Sequence, residues 1–252
     1  MELGYRQKAN GMYILNKYQM DDIAAMLLRE YAPSTLEYAQ PVDIDALAED
    51  GLFLTIQHKT LGMNNSILGL TAFEDVEGVP CCDEMFRPTT VNLEAGTVLI
   101  HSWLRGLQNR GRRRFTVAHE CAHWVLHRSY YSPTNQQYSF RTQRLPYIAC
   151  RAADIERAHH GPKTDEEWIE WQADSLASSL LLPLAPFRQT ADRAVRKGGR
   201  RYLSGPVDRE YIEIIEEIAD TFRVSKTAAE IRLKQLGYIQ KAPQSNARFY
   251  MH

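Results

Sequence analysis

The chain of 252 residues contains no run of about 18 apolar residues, which is the length that a helix needs to cross a bilayer. Its first residues also lack the apolar core of a secretory signal peptide. We therefore expect a soluble protein that is not exported and that works in the cytoplasm. Hydrophobic residues make up 44% and charged residues 24% of the chain, which excludes collagen-like and wholly disordered classes.

Cysteine is scarce as well. The chain has four cysteines and no C-x-x-C pair. Cys81 and Cys82 are adjacent, which is poor geometry for an ordinary disulfide, so the sequence predicts reduced thiols. A second metal or redox site at this pair is not predicted, because no partner lies at a useful spacing.

Neither positive nor negative charge is in excess. Thirty basic and 31 acidic residues give a net charge of −1, so no global field favours nucleic acid or an anionic membrane. The part from Arg188 onward is mildly basic, with 13 basic and 8 acidic residues. This asymmetry leaves room for a separate C-terminal module.

Hydrophobic periodicity predicts an α+β fold. Short apolar runs with β-branched and aromatic residues indicate strands within 52–58, 66–73 and 96–104. Helical spacing comes before them, at 20–31 and 43–50, and returns after them from Arg112 and over 165–182. We expect a small sheet that backs the helix beginning near Arg112.

Three parts are expected along the chain. Residues 1–190 form the main domain, with 1–17 as a disordered lead-in and 129–165 as a long connection that contains a helix near 147–159. A basic, glycine-containing linker follows at 191–206. Residues 207–252 then form a helical module, with helices at 208–222 and 225–236 around a turn at Arg223 and Val224.

The helix near Arg112 carries the motif H-E-x-x-H as His119, Glu120 and His123. Positions i and i+4 share one helical face, so two imidazoles can converge on one metal ion. Glu120 is rotated by roughly 100° from His119 because the helix has 3.6 residues per turn. It can flank the metal without binding it, where a general base for the attacking water belongs.

A third ligand decides what kind of site this is. The metzincin pattern requires Gly and His where this chain has Leu126 and Ser129, so that class is excluded. The gluzincin pattern places a Glu on a second helix with an Asp four residues later, as in Glu170 and Asp174. Asp174 is then expected to accept the far N–H of His119. Glu166 and Glu167 remain alternatives for the third ligand.

Other reactive side chains near the motif are assigned structural roles. His127 would lie about 12 Å along the helix from His119, at 1.5 Å per residue, so we expect it to pack or to form hydrogen bonds. Cys121 should point away from the ligand face into the core. Arg112, Arg113 and Arg114 are expected to have structural partners, and His159 and His160 to be a surface pair.

The segments RRRFTVAHECAHWVLH and EWQADSLASSLLLP resemble the two signature segments of the ImmA/IrrE metallopeptidases. The resemblance covers about residues 18–190 and implies a zincin-like domain. It implies Zn²⁺ bound by His119, His123 and Glu170, with Glu120 as the catalytic acid. The chain departs from the family in Cys121-Ala122, where Leu-Gly is common, and in the 47 positions that separate His123 from Glu170.

The resemblance also implies a substrate. Members of the family cut a helix-turn-helix repressor, and its loss switches on genes of mobile elements or of stress responses. Zn²⁺ would acidify the attacking water and polarise the scissile carbonyl, while Glu120 would take the proton from the water and pass it to the leaving amine.

The C-terminal module allows a rival interpretation. Its two helices resemble DNA-reading helix-turn-helix units, whose second helix enters the major groove. That second helix carries Lys226, Arg232 and Lys234 against Glu230. Scaffolding or substrate docking is the favoured role. The alternative is a non-catalytic DNA-binding regulator, or an antitoxin-like binding protein, with a vestigial or structural metal site.

Overall fold

A computed structural model describes residues 3–62, 66–133, 145–151, 162–197, 203 and 209–239. The N-terminal half begins with helices and continues with strands. The helices are α1 (Lys17–Tyr31), α2 (Ser34–Glu37) and α3 (Ile44–Ala46), and α3 continues into a π-helical turn at Leu47–Gly51. The strands are β1 (Thr55–Lys59), β2 (Ile67–Ala72), β3 (Val76–Cys82), β4 (Pro88–Leu93) and β5 (Thr97–His101).

The C-terminal half is mostly helical. Two 3₁₀ turns, Ser102–Arg105 and Leu107–Asn109, lead into the long helix α4. The elements of this half are α4 (Arg110–Tyr131), β6 (Tyr147–Arg151), α5 (Asp165–Leu181), α6 (Leu184–Lys197), α7 (Arg209–Phe222) and α8 (Lys226–Gln235). The mixed content confirms the predicted α+β class. No helix of the described part is long and apolar enough to cross a membrane.

Four strands form the main sheet in the order β1-β5-β2-β6. β5 pairs parallel to β1 and antiparallel to β2, and β6 pairs antiparallel to the other side of β2. β3 and β4 form a separate antiparallel hairpin that the sequence analysis did not predict. The sheet packs against α4, so it backs the H-E-x-x-H helix as expected.

Side-chain caps begin two of the predicted helices. Asp43 accepts a hydrogen bond from the Ala46 amide at the start of α3. Thr164 and Glu167 form a capping box at the start of α5, which holds two otherwise unpaired backbone donors. The side chain of Glu167 is therefore used to cap the start of the helix. Helix α5 packs alongside α4, and the contact between the two helices builds the site described below.

Three expectations were wrong. Residues 147–151, predicted within a helix at 147–159, form strand β6, because they pair with β2; positions 152–159 lie outside the described residues. Residues 191–197 of the predicted linker at 191–206 belong to α6. A helix forms here because Pro186 occupies its first turn, where a proline is tolerated, and because the apolar face that begins at Phe187 is buried.

The third wrong expectation was that residues 1–17 form a disordered lead-in. Gln7 and Tyr13 form a β-bridge, and Met12, Tyr13 and Leu15 are buried. The segment packs against α5, where Met12 lies in a hydrophobic cluster with Ile169 and the Tyr13 carbonyl accepts a hydrogen bond from Gln172.

The C-terminal helices share the main hydrophobic core. Ile218 and Phe222 of α7 and Leu233 of α8 are fully buried in the same cluster as the apolar face of α1. The ring centroids of Phe187 and Phe222 are 5.8 Å apart. The two helices and the turn agree with the prediction, and Ser225 caps α8. The module is therefore packed against the rest of the chain.

Candidate metal centre

Helix α4 presents His119 and His123 on one face, as the i, i+4 spacing requires. Both side chains are buried, and their Nε2 atoms lie 2.8 Å apart. Burial in the contact between α4 and α5 removes both rings from water. The two nitrogens thus face the same point in space.

Helix α5 brings Glu170 to that point. Its Oε2 lies 3.3 Å from His119 Nε2, and its Oε1 lies 3.7 Å from His123 Nε2. Ligand atoms at about 2.0–2.1 Å from a tetrahedral ion are separated by roughly 3.3 Å, so shifts of well under 1 Å would suit a cation. We call His119, His123 and Glu170 the three-donor site, and they form one of two groups able to hold a metal in the described residues.

Asp174 orients the first imidazole. Its Oδ1 lies 2.9 Å from His119 Nδ1, one turn after Glu170 on the same helix. The carboxylate accepts the Nδ1 proton, so His119 Nε2 carries a lone pair toward the three-donor site. This is the partner that the sequence analysis assigned to Asp174.

A chain of hydrogen bonds orients the second imidazole. The Gln172 amide donates to the Tyr13 carbonyl at 2.7 Å, which turns its Oε1 toward His127 Nε2, 3.0 Å away. His127 therefore donates from Nε2 and accepts at Nδ1, where His123 Nδ1 lies 2.9 Å away. His123 must donate there, which leaves its Nε2 lone pair on the three-donor site.

The electrostatics agree with neutral rings for His123 and His127. Burial lowers the pKa of His127 to about 3, so this ring is neutral. Burial, together with His119 and His127, holds the pKa of His123 well below its ordinary value. Burial also acts to lower the pKa of His119, but Cys150, Asp174 and Glu170 raise it overall. His127 has the hydrogen-bonding role that the sequence predicted.

The three-donor site fits a divalent cation. Two imidazole lone pairs and a carboxylate converge, and Glu170 Oε2 has no hydrogen-bond donor within the described residues. Such a cluster of acceptors is costly to bury without a positive charge. Two nitrogen donors and one oxygen donor are a common set for zinc with an open position.

Glu120 lies beside the three-donor site. Its side chain is fully buried, and its Oε2 accepts a hydrogen bond from the Thr71 hydroxyl at 2.7 Å. Its Oε1 has no partner among the residues that the structure describes. Burial raises the pKa of Glu120 to about 7, partly opposed by His119 and Thr71. A carboxyl group in this range can both accept and return a proton near neutral pH.

A glycine of β2 makes room for this carboxylate. A Cβ at Gly69 would lie 2.3 Å from Glu120 Oε1 and 2.9 Å from Thr116 Cγ2. Neither Gly69 nor Thr71 could be recognised from the sequence, because their relation to Glu120 depends on how β2 packs against α4. No local pattern marks them.

Cys150 is the other residue that sequence reasoning missed. This thiol of β6 is buried beside His119. Cys150, His119 and Glu120 form the second group of potential metal donors, with their ligand atoms within 4.8 Å of one another. The only signal for it was a cysteine located between the two ligand-bearing segments.

The remaining predicted residues have structural contacts. Arg113 forms a bidentate ion pair with Asp45 at 2.8 and 2.9 Å. Arg114 donates to the carbonyls of Val42 and Arg223. Arg112 stacks on Trp103, with its guanidinium carbon 5.7 Å from the ring centroid. These contacts confirm that the arginine run has structural partners.

The cysteines also agree with the prediction of reduced thiols. All four are free and buried, and Cys121 points into the main core. Cys81 and Cys82 lie at the end of β3 and belong to neither potential metal group of the described chain. His159 and His160 lie outside the described residues.

The model of peptidase family M78, described as the IrrE N-terminal-like domain, matches residues 103–234, more than half of the chain. The match begins just after β5, contains both helices of the three-donor site and ends in α8. It therefore runs through the predicted linker and includes most of the C-terminal helices. A search of curated proteins finds no match.

Proposed function

Because the chain belongs to the peptidase family described as the IrrE N-terminal-like domain, we propose that it is a zinc-dependent endopeptidase. The observation that carries this proposal is the three-donor site with Glu120 beside it. Family membership supports peptidase chemistry, and the donor set supports a metal as its cofactor. Zinc is the proposed ion because two imidazoles and one carboxylate suit it.

In the proposed reaction, Glu120 moves the proton. When bound, the cation supplies Lewis-acid polarisation of the scissile carbonyl and acidifies the attacking water. Glu120 Oε1 accepts the proton from that water, since this oxygen is buried and has no other donor in the described residues. Thr71 holds the other carboxylate oxygen, so the proton acceptor keeps a fixed direction. Glu120 then returns the proton to the leaving amine.

The fixed orientation of both imidazoles is the chain's other contribution. Asp174 orients the ring of His119. The hydrogen bonds that run from Tyr13 through Gln172 and His127 orient the ring of His123. Each ring reaches the three-donor site with its lone pair already directed inward, which reduces the rearrangement needed to bind a metal.

For the substrate, we propose a helix-turn-helix transcriptional repressor whose cleavage derepresses mobile-element or stress-response genes. This part of the proposal rests on the resemblance to the ImmA/IrrE metallopeptidases. A partner protein is the proposed ligand, and the C-terminal helices are proposed to support its docking.

The contacts of α8 favour this role over DNA binding. Arg232 is 1% exposed and pairs with Asp21. Lys226 pairs with Glu216, and Lys234 pairs with Glu230 four residues earlier. All three basic side chains of this helix thus have acidic partners within the chain, which weakens the positive potential that a phosphate backbone would require.

The metal site is tested by zinc content. Purified wild-type protein should contain about one zinc per chain, and Glu170→Ala should lose most of it. Glu166→Ala, an exposed position in the first turn of the same helix, is the matched control and should retain it. Unchanged zinc in Glu170→Ala would reject Glu170 as a ligand.

The activity is tested by co-expression with a helix-turn-helix repressor encoded next to the gene, followed by mass spectrometry of its fragments. Wild type should yield defined fragments, and Glu120→Gln should retain the metal but yield none. Intact repressor with zinc-loaded wild type, or equal fragments with Glu120→Gln, would contradict the proposal.

A further inference from the structure

Exposed arginines from two parts of the chain meet at the start of helix α4. They are Arg105, Arg110, Arg112 and Arg223. The first three lie just before and within the first turn of α4, and the fourth lies in the turn between α7 and α8. A Cβ at Gly111 would lie 3.1 Å from the Ser225 backbone nitrogen, so this turn packs directly on the start of α4. We call the four arginines the arginine surface.

A buried arginine joins the two parts. Arg114 Nε donates a hydrogen bond to the Arg223 carbonyl at 3.1 Å and so holds the turn against α4. Burial lowers the pKa of the Arg114 guanidinium; Asp45 and Asp43 oppose this shift, and Arg110 and Arg223 add to it. The positive charges of both parts therefore converge around one buried guanidinium.

The charge of the arginine surface is not neutralised by the described part of the chain. No carboxylate of the described residues lies within ion-pair distance of its four guanidinium groups. Asp45 and Asp43 have other partners, since Asp45 pairs with Arg113 through two hydrogen bonds and Asp43 accepts from the Ala46 amide. The first turn of α4 has no acidic residue and no side-chain cap, so its free amides add to the positive potential.

An exposed aromatic ring lies within this surface. Trp103 is 40% exposed, and the guanidinium carbon of Arg112 lies 5.7 Å from its ring centroid. Leu107, between them in sequence, is 87% exposed. Unpaired bases stack on aromatic rings and on guanidinium planes, and arginine binds phosphate through two parallel hydrogen bonds. An acidic peptide would use the arginines but would leave the indole without a partner.

We propose that the arginine surface binds a single-stranded polynucleotide, with phosphates on the arginines and a base stacked on the pair of Trp103 and Arg112. This binding is a second function of the chain, beyond the proposed peptidase. Arg112 lies seven positions before His119, which is about 10 Å along the helix axis, so a bound strand leaves the three-donor site free. Helix α8 takes no part, because its basic side chains already have acidic partners.

Binding is measured by fluorescence anisotropy with the full-length protein and a labelled oligothymidylate of about 20 nucleotides. With four arginines on phosphates, the logarithm of the association constant should fall against the logarithm of the salt concentration with a slope of about −3. At about 200 mM salt, where stacking contributes most, the single strand should bind at least about fivefold more tightly than a duplex of the same length. Oligouridylate in a parallel titration identifies the natural strand as RNA or DNA, and tighter binding of either one supports the proposal.

Charge removal tests the arginines. Arg110→Gln combined with Arg112→Gln should weaken binding at least about tenfold at low salt and make the salt slope shallower by about 1.4, since each lost phosphate contact accounts for about 0.7. The matched control combines Arg196→Gln with Lys234→Gln. These two exposed basic residues pair with Asp192 and Glu230, so their loss removes the same charge and should leave the slope unchanged.

Stacking has a separate readout. Trp103→Ala should weaken binding by about fivefold or more and leave the salt slope unchanged, because a stacked base contributes no charge. Trp103→Tyr keeps an aromatic ring and should recover most of the affinity. A loss of affinity in Trp103→Ala that is accompanied by a shallower slope would show that the ring only positions Arg112, and it would overturn the stacking role.

Three other results would overturn the proposal. The first is no binding of oligothymidylate by about 100 µM protein at low salt, the weak end of non-specific binding. The second is an equal loss of affinity in the arginine pair and in its matched control. The third is displacement of the strand by poly-glutamate at equal charge concentration, which would assign the surface to an acidic protein.

The binding measurements do not depend on the proposed peptidase. Chelator-treated and zinc-loaded protein should bind the oligothymidylate equally, because the arginine surface contains none of the three metal donors. Failure to bind the strand would therefore leave the zinc and cleavage experiments unaffected. Failure of those experiments would likewise leave this second function standing.

Discussion

Gln172 Nε2 donates a hydrogen bond to the Tyr13 carbonyl at 2.7 Å, although 159 positions separate the two residues. This contact fixes which end of the amide faces His127. It therefore fixes the proton on His127 and, through it, the proton on His123. The segment before α1 thus determines how a metal-site imidazole is presented.

Gln172→Leu should weaken metal binding while the fold is retained. The substitution removes the acceptor for His127 Nε2 and frees the ring to change tautomer, so we expect a loss of about 10–100-fold in zinc affinity. Chelator competition measures this affinity. The control is Ser179→Ala, equally buried on the same helix but bonded to Asp21, which should leave zinc affinity unchanged. Equal affinities for wild type and Gln172→Leu would contradict the orienting role.

Gly69→Ala should reduce activity without loss of metal. The added methyl group would lie 2.3 Å from Glu120 Oε1, so the carboxylate must move away from its position near the three-donor site. Displacement of a catalytic base by about 1 Å can cost on the order of 100-fold in rate. Cleavage of the partner repressor and zinc content are measured on the same samples.

Gly106→Ala provides the comparison for that experiment. The nearest atoms to its added methyl group all belong to the side chain of Gln108, which can rotate away. Activity should remain near that of wild type. Full activity in Gly69→Ala would mean that Glu120 tolerates displacement, and its assignment as the proton acceptor would then be wrong.

Much of the site could be predicted from the sequence, because its residues are separated by short intervals on single helices. Positions i and i+4 on a helix determined that His119 and His123 converge, and the same period paired Glu170 with Asp174. The helical spacing over 165–182 predicted the second helix, which begins at Asp165. The family match supports the same two segments.

The elements that sequence reasoning missed depend on contacts between distant segments. Residues 147–151 form a strand only because β2 offers an unpaired edge, and a run of five residues does not distinguish strand from helix by periodicity. Cys150 reaches His119 through this pairing. Arg232 counted among the basic residues of the helix that could contact DNA, yet it is buried against Asp21.

Zinc should stabilise the protein against heat. The lone pairs and the carboxylate of the three-donor site repel one another when no cation is present, and a ligand that binds only the folded state raises the free energy of unfolding. At a free zinc concentration 100 times the dissociation constant, the gain is about 2.7 kcal/mol. Scanning calorimetry with zinc and with a chelator should show this difference in wild type and not in Glu170→Ala. An equal shift in both proteins would point to zinc bound elsewhere.

Asp21→Ala should be among the most destabilising substitutions of a charged residue. Asp21 accepts hydrogen bonds from Arg232 of α8 and Ser179 of α5, and Arg232 is 1% exposed. Removal of one partner from a buried ion pair leaves an uncompensated charge and costs about 3–5 kcal/mol. Urea unfolding measures this loss. Lys226→Ala, in an exposed pair with Glu216, is the control and should cost less than about 1 kcal/mol.

The double substitution Asp21→Leu with Arg232→Met should recover most of the lost stability, because no buried charge remains. Failure to recover would show that the pair is required for packing of α8 against α1.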